Sequence, residues 1–206
     1  LLNIGLNVHK LHGHMYDFTA KISANPYIQL HWSYDLPKMP TINAMASVRW
    51  TDMNMLDFGD NRLSLSYLSA KQEVYLSNIK WKQFDIKGGI RNEIFDIRDI
   101  KSSQFIGDYD FNQLNNDFVS LFLDARADTF DDGYFPAKGF NAGVSYDWTF
   151  AGFPHKVDNF HIIQMDAKVV APITRTLAFI PSVNFRFLLG KDIPVAYFNA
   201  VGGSLS

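Results

Sequence analysis

On both sides of the segment Asp128-Thr-Phe-Asp-Asp-Gly-Tyr-Phe-Pro-Ala-Lys-Gly-Phe140 the chain alternates apolar and polar residues one by one. The alternation lasts for about a dozen positions each way, and this two-residue period constrains the fold more than any other feature. Before the segment, Val119, Leu121, Leu123, Ala125 and Ala127 share one parity, and Ser120, Asp124, Arg126 and Asp128 share the other. After it, Phe140, Ala142, Val144, Tyr146, Trp148 and Phe150 alternate with Asn141, Gly143, Ser145, Asp147 and Thr149. A helix would scatter each set around its circumference, whereas a strand gathers it on one side. The segment between is rich in turn formers, so the unit is predicted to be a β-hairpin whose strands are longer than the usual 5 or 6 residues or so.

The same period recurs along nearly the whole chain. Leu2, Ile4, Leu6 and Val8 oppose Asn3, Gly5, Asn7 and His9; Ile28, Leu30, Trp32, Tyr34 and Leu36 oppose Gln29, His31, Ser33 and Asp35; Ala44, Ala46, Val48 and Trp50 oppose Met45, Ser47, Arg49 and Thr51. A turn over Asp57 to Asn61 precedes Leu63, Leu65 and Tyr67, and between Leu68 and Gln72 the apolar parity changes, which predicts a bulge or a short turn there. From Gln83 the pattern is regular again, with Asp85, Lys87, Arg91 and Glu93 opposite Phe84, Ile86, Gly88 and Ile90. The polar stretch from Ile97 to Asp117 has no period and is predicted to be a long loop. Two further strands place Gln164, Asp166 and Lys168 opposite Ile163, Met165, Ala167 and Val169, and Ser182, Asn184 and Arg186 opposite Val183, Phe185 and Phe187. The prediction is an all-β antiparallel meander of about nine or ten strands with no internal domain boundary.

Which solvent each face meets decides between two architectures. Alternation alone fits a soluble sandwich or a lipocalin-like barrel, with the charged side facing water. Two features favour a transmembrane β-barrel instead: strands long enough for the 9–11 or so tilted residues that cross a bilayer, and aromatics such as Trp32, Trp50, Trp148 and Phe150 placed toward strand ends, as at membrane interfaces. In a barrel the charges Asp85, Lys87, Arg91, Glu93, Asp124, Arg126, Asp166, Lys168 and Arg186 would face the lumen, because an Arg or Lys facing lipid costs about 2–4 kcal/mol at the midplane. The charge balance, 19 basic against 21 acidic residues, gives no electrostatic reason for a nucleic-acid partner.

Residues Asp128, Asp131, Gly133, Pro136, Gly139 and Phe140 resemble a signature of the bacterial surface-antigen barrels, the superfamily that includes the outer-membrane protein insertases and the two-partner secretion transporters. In that signature an Asp on the outgoing strand and an acidic turn are followed by Pro-x-x-Gly-aromatic. Asp131 to Gly133 supply turn chemistry, Pro136 fixes φ ahead of the strand, and Gly139 lets the strand start in a confined space. A second resemblance, over Asp192 to Gly203, is to the barrels that follow patatin-like phospholipase domains, especially in proteins of the Bacteroidetes type. Insertases carry a Val-Arg-Gly-aromatic loop motif near this place; here Gly202 stands at the Arg position and Ser204 at the aromatic one.

The resemblance implies a bacterial outer-membrane location, contact with outer-membrane lipid or detergent, and a barrel of which residues 1–206 are an incomplete segment. The remaining strands are expected beyond residue 206, and an attached soluble domain upstream. The function it implies is anchoring or exporting that domain, in the best-matched case a patatin-like phospholipase. An insertion and translocation factor, and a soluble ligand-binding β-barrel, are the alternatives.

No catalytic constellation is assigned to the chain. A patatin-like lipase needs a Gly-x-Ser-x-Gly elbow, and the nearest string, Gly143-Val-Ser-Tyr-Asp147, lacks the second Gly and lies within a strand. His9, His12 and His14 are the one grouping that could approach a metal-ligand spacing, and no metal or other cofactor is assigned to them.

Overall fold

The computed structural model describes residues 2–11, 13–23, 25–57, 60–102, 116–131, 138–174, 177–191, 193–194 and 197. They form eleven strands: β1 (Leu2–Leu11), β2 (His14–Ile22), β3 (Tyr27–Tyr34), β4 (Thr41–Asp57), β5 (Asp60–Trp81), β6 (Phe84–Ser102), β7 (Asp117–Asp128), β8 (Gly139–Phe153), β9 (Phe160–Pro172), β10 (Ala178–Phe179) and β11 (Ser182–Gly190). Each pairs antiparallel with its predecessor from β1 to β10, and β11 also pairs with β9. β10 and β11 are one stave interrupted at Ile180-Pro181: Ala178 pairs with Pro172 and Ser182 with Lys168 on the same partner strand. Proline has no amide to give to the ladder, which accounts for the break. The sheet is thus a meander of ten staves, and among the described residues it stays open, since β1 and β11 do not pair with each other.

The hairpin at the centre of the sequence pattern is β7–β8, in register from Asp128↔Asn141 to Asp117↔Phe153, with a bulge at Phe150 opposite the step from Val119 to Ser120. Other strands run well past what a bilayer requires. β5 has 22 residues, which at 3.3 Å or so per residue is about 70 Å, against an apolar band of about 25 Å. The projecting part explains one difference from the sequence reading. Ile97 to Ser102 are strand, paired with β5 from Tyr67 to Leu63, although Asp96, Arg98, Asp99 and Lys101 hide any apolar period. Residues 103–115 of the predicted loop lie outside the described residues.

A second difference concerns Leu68–Gln72, which contain neither a bulge nor a turn. They pair without interruption with Trp50–Ala46 on one side and Asp96–Asn92 on the other. The apolar parity changes there because Tyr67 is buried on one face while Leu68 begins the apolar series on the other. The irregularities lie nearby: an extra residue, Arg98, in β6, and a bulge in β5 between Leu76 and Ile79, where Asn78 takes φ 60°. Trp50 also differs from expectation. It lies well inside β4, which continues to Asp57.

The two faces of the sheet have opposite character. One carries Leu30, Val74, Ile90, Leu121, Leu123, Val144, Met165, Phe185 and Phe187, all exposed. The other carries most of the buried side chains, both aromatic (Tyr67, Phe95, Phe118, Phe122, Phe160) and polar (Asn43, Glu73, Ser120, Thr149). Side chains two staves apart touch on this second face, Arg91 of β6 with Asp147 of β8 and Arg126 of β7 with Asp166 of β9, so it is the inner face. Asp128 and Gly139, with the connections at 35–40 and 82–83, mark one end of the sheet, here the near end, and Ile22 and Tyr27, with the connection at 154–159, mark the far end.

Candidate functional site

The inner face is the candidate site, and antiparallel register assembles it. Residues paired across an antiparallel ladder point the same way, so the row Lys80↔Asp85↔Arg126↔Gly143↔Asp166↔Asn184 is continuous from β5 to β11, as is the row Lys87↔Asp124↔Ser145↔Gln164↔Arg186 from β6 to β11. All the charges singled out from the sequence fall on this face. Asp85 pairs with Lys80, Lys87 with Asp124 at 3.1 Å, Arg126 with Asp166 at 3.1 Å, and Arg91 with Glu73 at 2.6 Å and with Asp147. Lys168 stands nearer the near end, in register with Asn141 and Ser182.

The centre of the network is Glu73, only 7% exposed, held between Arg91 and the Lys71 ammonium at 2.8 Å. Arg91 crosses β7 to reach Asp147, and its guanidinium lies 4.6 Å from the centre of the Phe122 ring. One guanidinium with several donors can serve two carboxylates at once, which a lysine cannot do with the same geometry. Tyr75 packs edge-on against Phe122 at 5.8 Å and lies against Gly89, where a Cβ would come within 2.5 Å of the Tyr75 Cβ. Further round, His31 lies within 3.2 Å of Asn43 Oδ1 and of the Tyr75 hydroxyl, and 3.4 Å from Asp17. Glu73, Lys71, Asp147, Asp17 and His31 were not singled out from the sequence, although each has the polar parity of its strand, which is the signal that could have found them.

Toward the far end the inner face becomes aromatic. Phe95, Phe118, Phe160 and Tyr67 form one cluster with Ile162 and with Tyr197, which follows β11. Phe118 meets Tyr197 at 5.7 Å and Phe160 meets it at 5.2 Å, both edge-on, the arrangement ring quadrupoles prefer. The Tyr197 hydroxyl donates to Glu93 at 2.7 Å. Burial and the neighbouring Glu93 carboxylate push that hydroxyl well above the usual tyrosine range, so it remains a donor. Asn116 ties the connection at 154–159 over this cluster, donating to the His155 carbonyl at 3.0 Å and accepting from the His155 amide at 3.2 Å. A hollow of about 650 Å³ at the near end, lined by Asp85, Lys87, Asp124, Arg126 and Asp166, and one of about 430 Å³ lined by Tyr27, Arg49 and Lys71 share Lys87, Arg91 and Glu93 as their partition.

The turn motif is structural. Asp128 accepts from the Phe130 amide at 3.0 Å and from the Asn141 side chain at 2.8 Å, and Asp131 accepts from the Lys138 amide at 3.2 Å. Gly139 has φ +117°, and a Cβ there would lie 2.5 Å from the Thr129 carbonyl oxygen, which explains the glycine. Gly133 and Pro136 lie outside the described residues. Of the three histidines near the amino terminus, His14 stacks on Tyr34 at 4.5 Å and accepts from the Trp32 indole at 3.2 Å on the outer face; His12 lies outside the described residues. Trp148 and His161, toward the far end, form a second outer cluster with Tyr146 from the middle of β8, whose hydroxyl lies 2.8 Å from His161 Nδ1. Aromatic clusters thus stand at opposite ends of the apolar outer face, as interface girdles do.

An apolar outer face bounded by aromatics, opposite a charge-paired inner face in an antiparallel meander, defines a transmembrane β-barrel of outer-membrane type. The profile of the OMP85 superfamily matches residues 13–204, and the chain belongs to that superfamily. No curated protein matches it.

Proposed function

We propose that this chain is the membrane-embedded part of an outer-membrane barrel that anchors, or helps to export, a soluble domain of the same polypeptide, a patatin-like phospholipase being the domain favoured by the sequence. The observation that carries the reading is the division of the sheet into an apolar outer face and an inner face whose acids and bases pair with one another. The phospholipase rests on the sequence from Asp192 onward, where Gly202 and Ser204 stand in place of the Arg and aromatic residue of the insertase motif. Its test is expression of the full reading frame in a Gram-negative host. The reading expects outer-membrane fractionation, a heat-dependent shift in gel migration, and phospholipase activity that follows the barrel. Recovery as a detergent-free monomer would sink it.

The second reading, a factor that inserts or translocates other outer-membrane proteins, is favoured by membership of the OMP85 superfamily. It expects repeated small periplasmic domains upstream in place of a lipase, and faster folding of a client barrel in liposomes that contain the protein.

A further inference from the structure

We propose that the outer face of β3–β5 holds a groove for one lipid acyl chain, whose carbonyl accepts a hydrogen bond from the Gln72–Asn92 amide pair; the inference rests on the outer-membrane reading above. Two registers build the groove. Leu30↔Ala46↔Gln72↔Asn92 and Trp32↔Ala44↔Val74↔Ile90 run side by side across β3 to β6. Most staves place bulky side chains on the outer face, and Leu30 and Val74 are 57% and 62% exposed. β4 instead offers Ala44 and Ala46, so its surface is recessed between the ridges Leu30 and Trp32 on one side and Val74 on the other. The recess measures about 460 Å³ and reaches Phe18 on β2.

The amide pair supplies the independent argument. Asn92 Nδ2 donates to Gln72 Oε1 at 3.0 Å. The pair lies within the apolar outer face rather than beyond its edge, since Val74 and Ile90 flank it toward the near end and Ala70 and Ile94 toward the far end. One amide–amide hydrogen bond leaves one NH2 group with both hydrogens unused, whichever way the amides are oriented. In hydrocarbon that donor is costly unless an acceptor meets it. The outer-face side chains around the recess carry no charge, so the complement is a neutral acceptor joined to an apolar tail. An acyl carbonyl followed by its chain meets that description, whereas a phosphate does not.

The test is photolabelling of the full chain in liposomes containing a phosphatidylethanolamine with a diazirine near the start of one acyl chain, the adducts being mapped by mass spectrometry. Label is expected several-fold enriched on peptides containing Ala44, Ala46 and Val74 over those containing Leu121 and Val144. Ala46→Phe, which fills the recess, should lower it several-fold, and Gln72→Leu, which leaves the recess open, should lower it as well. Label spread evenly around the outer face overturns the groove, and so does unchanged labelling in Gln72→Leu, which decides the matter if Ala46→Phe does not fold. Adducts chiefly between two copies of the chain would assign the recess to self-association and overturn the lipid. Failure of the unaltered chain to insert counts against the outer-membrane reading itself.

Discussion

Arg126 on β7 and Asp166 on β9 meet across the intervening strand, the guanidinium donating to both carboxylate oxygens at 3.1 and 3.3 Å. The strand between them contributes Gly143 at that register, and a Cβ there would stand 2.7 Å from Asp166 Oδ1 and 3.2 Å from the guanidinium. The glycine is the opening through which the pair forms. The pair is substantially exposed, so Arg126→Ala is expected to change stability by less than about 1 kcal/mol. Gly143→Leu should cost more than Arg126→Ala, because it displaces both partners and inserts bulk between them. Urea unfolding of the barrel in detergent micelles checks the order of the two effects.

Glu73 and Arg91 are the pair whose loss should be felt most. Removing Arg91 leaves the buried Glu73 carboxylate with Lys71 as its remaining cation and takes from Asp147 its ion-pair partner, and breaking one side of a buried pair costs about 3–5 kcal/mol. Arg91→Ala should therefore fold in poor yield. The double variant Glu73→Gln/Asp147→Asn in the Arg91→Ala background should recover part of the loss, since it removes the orphaned charges. If the background variant alone were as stable as the unaltered chain, the network would not support the wall.

Gly139→Ala tests the turn motif separately from the faces. At φ +117° an L side chain is strained, and the added methyl meets the Thr129 carbonyl oxygen at 2.5 Å; strained backbone of this kind costs about 1–3 kcal/mol. Slower and less complete acquisition of the heat-resistant folded form on a gel is the expected result.

Tyr197 separates packing from hydrogen bonding in the aromatic cluster. Tyr197→Phe keeps the ring against Phe118 and Phe160 and removes only the donor to Glu93, a hydrogen bond to a charged group worth about 1.5–3 kcal/mol. Tyr197→Ala also removes the ring, and a buried aromatic cut to Ala costs about 3–5 kcal/mol. Thermal unfolding midpoints of the two variants should differ in that order; equal midpoints would mean that the ring contributes no packing.

Much of this architecture was legible because each strand must serve two solvents. The β7–β8 parity read from Val119 to Phe150 is the parity of the two faces, and the paired charges of β6 to β11 share one side. The sequence pattern failed where that constraint lapses. Ile97 to Ser102 project beyond the band that lipid would cover, so nothing requires them to alternate. Phe95, Phe118 and Phe160 occupy the polar parity of their strands, and their role appears only when Tyr197, distant in sequence, folds in among them. Glu73 likewise gains its importance from Arg91 and Asp147 on two other strands, which no local period reveals.

Leu123 discriminates the membrane reading from the soluble β-barrel. It lies on the outer face of β7, 52% exposed, between Gly88 and Tyr146. In water an exposed leucine replaced by arginine is close to neutral, since surface substitutions away from special features change stability by about 0.5 kcal/mol or less. In lipid the same change costs about 2–4 kcal/mol near the midplane. Gln164→Arg on the inner face serves as the comparison, because that side chain meets the polar interior in either case and stands in register with Ser145 and Arg186. Urea titration of folding into liposomes should show Leu123→Arg destabilised well beyond Gln164→Arg. Equal and small effects at the two positions would mean that the apolar face does not meet lipid.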